Sequence, residues 1–175
     1  YRIIGHLLGD GGIHIIKLDG KYRIFYVNNE QILLDSFYND TKSIFPNLEI
    51  YTRKRKDRGD EIWLPTTASY ILYSIFNMKN CKTRRVPDFV YKADKKRIGA
   101  FLQAIFDDEG YIYPQKNLIG IALSNKKLLN DIKKLLKILG IDTNPIKHTN
   151  SRTRSKMFYF YISSKKNLLN FNEYV

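Results

Sequence analysis

The chain has 175 residues, 43% of them hydrophobic, and this composition is that of a globular protein rather than a disordered one. Its 30 Lys and Arg residues outnumber its 17 Asp and Glu residues and give a formal charge of +13, so we expect a polyanionic partner. The basic residues are spread over many segments instead of one amphipathic helix, which favours nucleic acid over a membrane surface. The single Cys81 excludes a disulfide within the chain, and we expect an intracellular protein that is not secreted.

An apolar helix is the first predicted element, and it ends on an acid followed by glycine. The stretch begins at Ile3, and the helix ends on Asp10, which Gly11 and Gly12 follow. Gly5 and Gly9 are four residues apart, so they share one face of the helix. Small residues on one face allow another helix to approach closely.

Two hairpins and two helices are predicted next. Asp19 and Gly20 separate two β-rich runs, which is a strong hairpin signal. The predicted elements are strands at 13–18 and 21–28, a helix at 30–45, strands at 48–55 and 61–66, and a helix that Thr67 or Ser69 caps and that ends near residue 78. Residues 80–85 are polar and basic, and we interpret them as the linker between two halves, followed by a short segment at 86–91.

A second apolar helix at residues 93–107 ends in the same way as the first. Glu109 and Gly110 follow it, and Ala100 and Ala104 form its stripe of small residues. If the two helices pack side by side, Asp10 and Glu109 meet at their C-termini, where like charge and the helix dipoles both disfavour them. A hard cation such as Mg²⁺ would relieve this, and such a site can activate water against a phosphodiester. The alternative is that both acids are merely solvated residues after two helix ends, and the repetition of the pattern argues against it.

The rest of the chain repeats the order of the first half. The predicted elements are strands at 111–113 and 118–123, a helix at 125–139, a strand at 141–148, a basic loop at 149–155, a strand at 157–162 and a helix at 165–171. Residues 26–35 align with residues 122–131 as strand then helix. We therefore predict an α+β fold of duplicated αββαββα repeats with pseudo-two-fold symmetry, in which two curved antiparallel sheets flank a central helix pair. The first repeat with its linker would cover residues 1–92, and the second would cover residues 93–175.

The two motifs resemble those of the LAGLIDADG homing endonucleases in their single-chain, two-repeat form. They read GHLLGDGG at residues 5–12 and FLQAIFDDEG at residues 101–110, and the second is similar to archaeal and intein-type members. The resemblance implies that Asp10 and Glu109 are catalytic and bind a divalent metal, Mg²⁺ or Mn²⁺. The backbone carbonyls of Gly9 and Asp108 would lie nearby as further metal ligands.

Alternation along the strands predicts which side chains reach the site. We expect Phe25, Val27, Ile121 and Leu123 to face the core, and Tyr22, Tyr26, Asn28 and Ser124 to face out. Asn28 and Ser124 end their strands near the carboxylates, so both are candidates to support the water network around the metal. The family often has Lys or Gln at one of these strand ends, and neither residue here is basic. Either another basic residue assists cleavage, or the protein binds without cutting efficiently.

Two basic hairpin tips, at residues 53–58 and 147–156, occupy equivalent places in the two halves and are expected to flank a DNA duplex. Most of their contacts would be to phosphates and would weaken steeply as salt rises. The residues that we expect to contact DNA are Tyr22, Tyr26, Arg53, Lys54, Arg55, Lys56, Arg58, Lys116, Lys147, His148, Arg152, Arg154 and Lys156.

These expectations favour a site-specific, metal-dependent endonuclease that cuts double-stranded DNA at a long, partly asymmetric site. It would act as a monomer with an internal pseudo-dimer and would not bind a membrane. We expect it in the cytoplasm or nucleoid of an archaeon or bacterium, or in an organelle matrix. It would derive from an intron, an intein or a free-standing gene. The main alternative is the same scaffold binding DNA or RNA without cleavage, as a transcription regulator or an intron maturase. An intein fragment without splicing residues and a metal-independent structural protein are the remaining hypotheses.

Overall fold

The computed structural model describes residues 1–16, 21–56, 58–75, 81–150 and 156–175. The first repeat consists of α1 (Arg2–Gly9), β1 (Gly11–Ile16), β2 (Lys21–Asn28), α2 (Gln31–Ile44), β3 (Tyr51–Arg53), β4 (Asp60–Trp63) and α3 (Thr66–Ile75). A short helix α4 (Asp88–Tyr91) precedes the second repeat. That repeat consists of α5 (Lys95–Glu109), β5 (Gly110–Tyr113), a 3₁₀ turn (Pro114–Lys116), β6 (Leu118–Leu123), α6 (Lys126–Ile138), β7 (Lys147–Asn150), β8 (Lys156–Ile162) and α7 (Lys165–Tyr174).

The predicted fold of two αββαββα repeats with two antiparallel sheets is confirmed. The sheets have the strand orders β1-β2-β4-β3 and β5-β6-β8-β7, so the same topology occurs twice. In both, the first strand begins with a glycine of the motif: Gly11 pairs with Tyr26, and Gly110 pairs with Ile121. The proposed division between residues 92 and 93 stays a prediction. None of the helices in these described segments is long and apolar enough to cross a membrane.

Helices α1 and α5 pack against each other through the small residues that the sequence indicated. A Cβ built on Gly5 would lie 2.7 Å from the Cβ of Ala104, and one built on Gly9 would lie 2.7 Å from Oδ2 of Asp108. Leu7 and Leu102 are fully buried beside this contact. The backbones can approach this closely only because the two glycines have no side chains.

The predicted orientation of the side chains along β2 is wrong. Ile24 and Tyr26 are fully buried, whereas Phe25 and Val27 are half-buried on the face away from the helices. Tyr22 shares the helix-facing side, where its ring stacks on Tyr73 of α3 at 4.1 Å. Because side chains alternate along a strand, a shift of one residue reverses every orientation.

The two repeats align differently in the structure and in the sequence comparison. The glycine pairings and the starts of α2 and α6 place Tyr26 opposite Ile121 in the repeat, rather than opposite Ala122. The counterpart of Asn28 is therefore Leu123, and Ser124 is an exposed residue after β6. Ile121 and Leu123 do face the core, as predicted.

Several predicted boundaries also differ from the structure. Strand β3 is shorter than the predicted 48–55, and β7 begins at Lys147 rather than at Ile141, which packs in the core after α6. Ser69 does not cap α3, because its hydroxyl accepts from the Ile24 backbone N–H at 3.0 Å and so joins α3 to β2. The predicted turn at 19–20, the end of the helix near residue 78, and Arg152 and Arg154 lie outside the described residues.

Candidate active site at the helix pair

The C-termini of α1 and α5 bring Asp10 and Glu109 to one place. Asp10 is the C-cap of α1, and its backbone N–H donates to the His6 carbonyl at 3.0 Å. Glu109 is the last residue of α5. Burial, with the nearby Asp108, raises the pKa of Asp10 to about 6. Burial and the charge of Asp10 raise the pKa of Glu109 to about 7. The two acids therefore repel each other in a half-buried setting, where a cation would stabilise both.

The carboxylates of Asp10 and Glu109 fit a divalent cation whose remaining ligands are waters and substrate oxygens. Within the described parts of the chain, no three His, Cys, Asp or Glu side chains form a group that could hold a metal ion unaided. Mg²⁺ is commonly bound by one or two carboxylates together with waters and substrate phosphates. Asp10 and Glu109 match that requirement, whereas metal ligation by the carbonyls of Gly9 and Asp108 stays a prediction.

Asn28 supports Asp10, as its position at the strand end indicated. Its side-chain Nδ2 donates to Oδ2 of Asp10 at 3.1 Å and to the Tyr26 hydroxyl at 3.1 Å. Its Oδ1 accepts from the backbone N–H of Glu30 at 2.9 Å, which fixes the orientation of the amide. The proposed supporting role of Ser124 stays a prediction.

Tyr26 is part of the buried site and does not face outward toward DNA. It is fully buried, and its hydroxyl donates to Oδ1 of Asp108 at 2.6 Å. The same carboxylate oxygen lies 3.1 Å from Nδ1 of His6, and both of these side chains are fully buried. The predicted orientation of Tyr26 is therefore wrong, because the sequence alignment of the two repeats is offset by one residue at β2.

Arg84 is a component of the site that the sequence did not reveal. It lies in the predicted linker, but it is 6% exposed and donates to the backbone carbonyls of Leu7 and Gly11 at 3.2 and 2.8 Å. Its positive charge offsets part of the rise in the pKa of Glu109 that burial and the neighbouring acids cause. The guanidinium therefore binds a carbonyl in the last turn of α1 and the first carbonyl of β1, and it stabilises the negative end of α1 beside the acids. No local sequence pattern predicts this contact, because more than 70 residues of sequence separate Arg84 from α1.

Most of the predicted DNA-contact residues that the structure describes are exposed. The exposed ones are Arg53, Lys54, Lys56, Arg58, Lys116, Lys147, His148 and Lys156. Arg55 is different, because it is half-buried and donates from Nε to the nearly buried Glu61 at 3.0 Å. That ion pair holds Arg55 against its own sheet.

The faces of the two sheets away from the helices carry different side chains. On the first sheet, Phe25 packs on Trp63 with ring centroids 4.6 Å apart, and the exposed Arg23 lies on the same face. On the second sheet, the ring of Tyr161 contacts those of Tyr111 and Tyr159 at 6.2 and 5.3 Å. One face thus combines aromatic and basic groups, and the other is rich in tyrosine.

The second half of the chain matches a known domain family. Residues 97–175 match the LAGLIDADG-like domain. Curated proteins with similar sequences include the replication factor C small subunit of Methanocaldococcus jannaschii, which is 26% identical over 170 residues, or 96% of this chain and 9% of that protein. A DNA polymerase of Thermococcus sp. (strain GE8) is 26% identical over 94% of this chain and 10% of its own length. The chain thus spans about a tenth of the length of these relatives.

Solved structures resemble the chain over nearly its full length. The homing endonuclease I-DmoI in complex with DNA and Mn superposes with a TM-score of 0.71 at 18% identity, covering 99% of this chain and 93% of that one. Full-length WhiA from Thermatoga maritima superposes with a TM-score of 0.63 at 19% identity, covering 98% of this chain and 52% of that one. The resemblance found in the sequence is confirmed: the second half of the chain matches the LAGLIDADG-like domain, and the whole chain has the two-repeat LAGLIDADG fold.

Proposed function

We propose that the chain is a site-specific endonuclease that hydrolyses double-stranded DNA with a divalent cation, Mg²⁺ or Mn²⁺. The observation that carries this proposal is the meeting of Asp10 and Glu109, one from each repeat, at the paired C-termini of α1 and α5. Burial raises the pKa of both acids toward neutrality, with a further contribution from the charge of Asp108 at Asp10 and from the charge of Asp10 at Glu109. Such an arrangement is unfavourable without a cation, so its occurrence in a core contact points to a function rather than to stability.

The residues around the two acids have distinct roles in this proposal. Asp10 and Glu109 hold the cation between the repeats, Asn28 orients Asp10, and Arg84 stabilises the end of α1. A divalent cation bound there would stabilise charge on the scissile phosphate and would make a water more acidic. One acid from each repeat provides for one cut in each strand.

Duplex DNA is the substrate that the charge and the sheets support. The chain carries a charge of +13, and exposed basic residues stand at the end of β3 (Arg53) and at the start of β7 (Lys147). A two-stranded β-ribbon fits the major groove, so two sheets on either side of the acids suit a long site. I-DmoI structures contain DNA with Mn, Mg or Ca, which supports the same partner here. Because the two open faces differ, we expect the two half-sites to differ in sequence.

The relatives support an origin as a mobile module. They include a replication factor subunit, an aminotransferase, a DNA polymerase and a ribonucleotide reductase subunit, and the chain matches 9–14% of each. A segment shared by proteins of such different activities is expected of an element that inserts into many genes. We therefore propose a homing function, from an intron, an intein or a free-standing gene, that acts inside the cell.

A second candidate is binding of DNA or RNA without cleavage, as a transcription regulator or maturase. The fold similarity to WhiA favours this candidate, as does the absence of a basic side chain at Asn28 and at its counterpart Leu123. Both candidates predict tight, salt-sensitive binding, but only the nuclease predicts strand scission.

The test begins with selection of bound duplexes from a random library. Selected duplexes are then cloned into a supercoiled plasmid and incubated with the protein in Mg²⁺ or in EDTA. The endonuclease proposal predicts linear product in Mg²⁺ alone. Tight binding with no nicked or linear product in Mg²⁺ or Mn²⁺ would contradict it and would favour the second candidate.

A further inference from the structure

The Asp108 carboxylate is buried between the repeats although it directly precedes Glu109. Its side chain is fully buried. Oδ1 accepts from the Tyr26 hydroxyl at 2.6 Å and lies 3.1 Å from Nδ1 of His6. Tyr26 and His6 belong to the first repeat and Asp108 to the second, so these bonds join the two halves. A carboxylate in such a place is tolerated only when it is well hydrogen-bonded.

The hydrogen bonds continue from Asp108 to the carboxylate of Asp10. Tyr26 donates to Asp108 and accepts from Nδ2 of Asn28 at 3.1 Å, and the same amide donates to Asp10 at 3.1 Å. The Tyr26 ring also packs against the rings of Phe37 and His6, with centroid distances of 4.6 and 5.2 Å. The orientation of Asp10 is thus linked, through three hydrogen bonds, to the residue beside Glu109.

The second repeat shows that these polar groups are not needed to fill the core. Ile121 stands in the place of Tyr26, and Leu123 stands in the place of Asn28. Both are buried, with 0% and 6% of their surface exposed. Apolar side chains therefore complete the same fold on that side, and the polar chain in the first repeat requires another explanation.

We propose that Tyr26 and Asp108 are positioning residues for the cation site. Through Asn28 they hold the Asp10 carboxylate at a fixed place relative to Glu109, so that both acids can bind one divalent cation. This proposal rests on the proposed function, because it assumes that the acids bind a cation. Neither residue would contact the cation or the DNA through its side chain. The effect is that of the hydrogen-bonded partners that orient ligands in metalloenzymes.

The experiment compares Tyr26→Phe and Asp108→Asn with the wild-type protein, each bound to a selected duplex. Calorimetric titration with Ca²⁺ measures cation affinity without turnover, and cleavage rates over a range of Mg²⁺ concentrations give the half-saturating concentration. We expect Tyr26→Phe to weaken Ca²⁺ binding and to raise half-saturating Mg²⁺ by about 10-fold. The Asp108→Asn change should have a similar effect, and the double variant should be little worse than either single variant, because one chain of bonds is broken in each case.

Tyr73→Phe is the matched control, since it removes a hydroxyl from another ring packed on the helix-facing side of the first sheet. It should leave both cation measurements unchanged. Unchanged Ca²⁺ affinity in Tyr26→Phe would overturn the proposal, as would equal shifts in Tyr73→Phe or additive effects in the double variant. A wild-type protein that binds Ca²⁺ and DNA but does not cut would contradict the nuclease, while the Ca²⁺ titrations would still decide the positioning role.

Discussion

Arg84 donates a hydrogen bond from Nη2 to the Gly11 carbonyl at 2.8 Å, which ties the segment between the repeats to the end of the first motif helix. The same guanidinium reaches the Leu7 carbonyl at 3.2 Å. The connection between the halves is therefore part of the site that holds Asp10 and Glu109.

Replacing Arg84 by Met should destabilise the protein by about 2–4 kcal/mol, because buried carbonyls lose a charged donor. Urea unfolding followed by circular dichroism measures this change. Arg97→Met is the control, since Arg97 makes an exposed ion pair with Asp94 that should contribute under about 1 kcal/mol. Equal losses in the two variants would show that Arg84 has no special structural role.

Gly5→Ala should destabilise the fold even though alanine is the better helix former. The new Cβ would meet the Ala104 Cβ at 2.7 Å and would force α1 and α5 apart. The expected cost is about 1–3 kcal/mol, against a gain of about 1 kcal/mol at an open helical position. The shift in melting temperature on thermal unfolding shows whether Gly5→Ala stabilises or destabilises the protein. Lys134→Ala on the exposed side of α6 should change the melting temperature little, and a Gly5→Ala protein that melts higher than wild type would contradict the close packing of the helix pair.

The stability of the metal-free protein should depend on pH through the two acids. Their pKa values, about 6 for Asp10 and about 7 for Glu109, are raised above those of the unfolded chain. Their stabilising contribution is therefore complete below pH 4 and is lost as the pH rises through 6 and 7. In EDTA, Glu109→Gln should be more stable than wild type by about 1–3 kcal/mol at pH 8, and the difference should vanish near pH 4. Denaturant unfolding at several pH values measures this difference, and a constant difference across the range would show that Glu109 is not perturbed in the folded state.

Neutralising the basic tips should weaken DNA binding in a salt-dependent way. Arg53→Gln and Lys147→Gln should each reduce the slope of log K against log salt by about 0.9 if the side chain contacts one phosphate. Lys134→Gln, which lies on the outer side of α6, should leave the slope unchanged. Fluorescence anisotropy with a selected duplex measures the slopes. Identical slopes for all three variants and wild type would remove the tips from the interface.

The sequence was sufficient to predict the fold and the meeting of the two acids. Both depend on local patterns that occur twice, namely an apolar helix, a stripe of small residues, an acid and a glycine. Close packing of Gly5 on Ala104 follows directly from that stripe.

The parts that sequence could not predict depend on register and on distant contacts. A sequence alignment that is offset by one residue reverses the predicted orientation of every side chain on β2. It therefore places Tyr26 on the surface and pairs Ser124 with Asn28. The contacts of Arg84 with α1 and of Asp108 with His6 join residues that are far apart in sequence, and neither leaves a periodic signal. The ion pair of Arg55 with Glu61 likewise became visible only in the structure.

The most direct test of the central claim is cleavage of a supercoiled plasmid carrying a selected site by wild type and by the Asp10→Asn, Glu109→Gln double variant. In Mg²⁺, wild type should give linear product and the double variant should leave the plasmid supercoiled, while both bind the site with similar affinity in EDTA. Linear product from the double variant would contradict the assignment of the two acids as the catalytic, cation-binding pair.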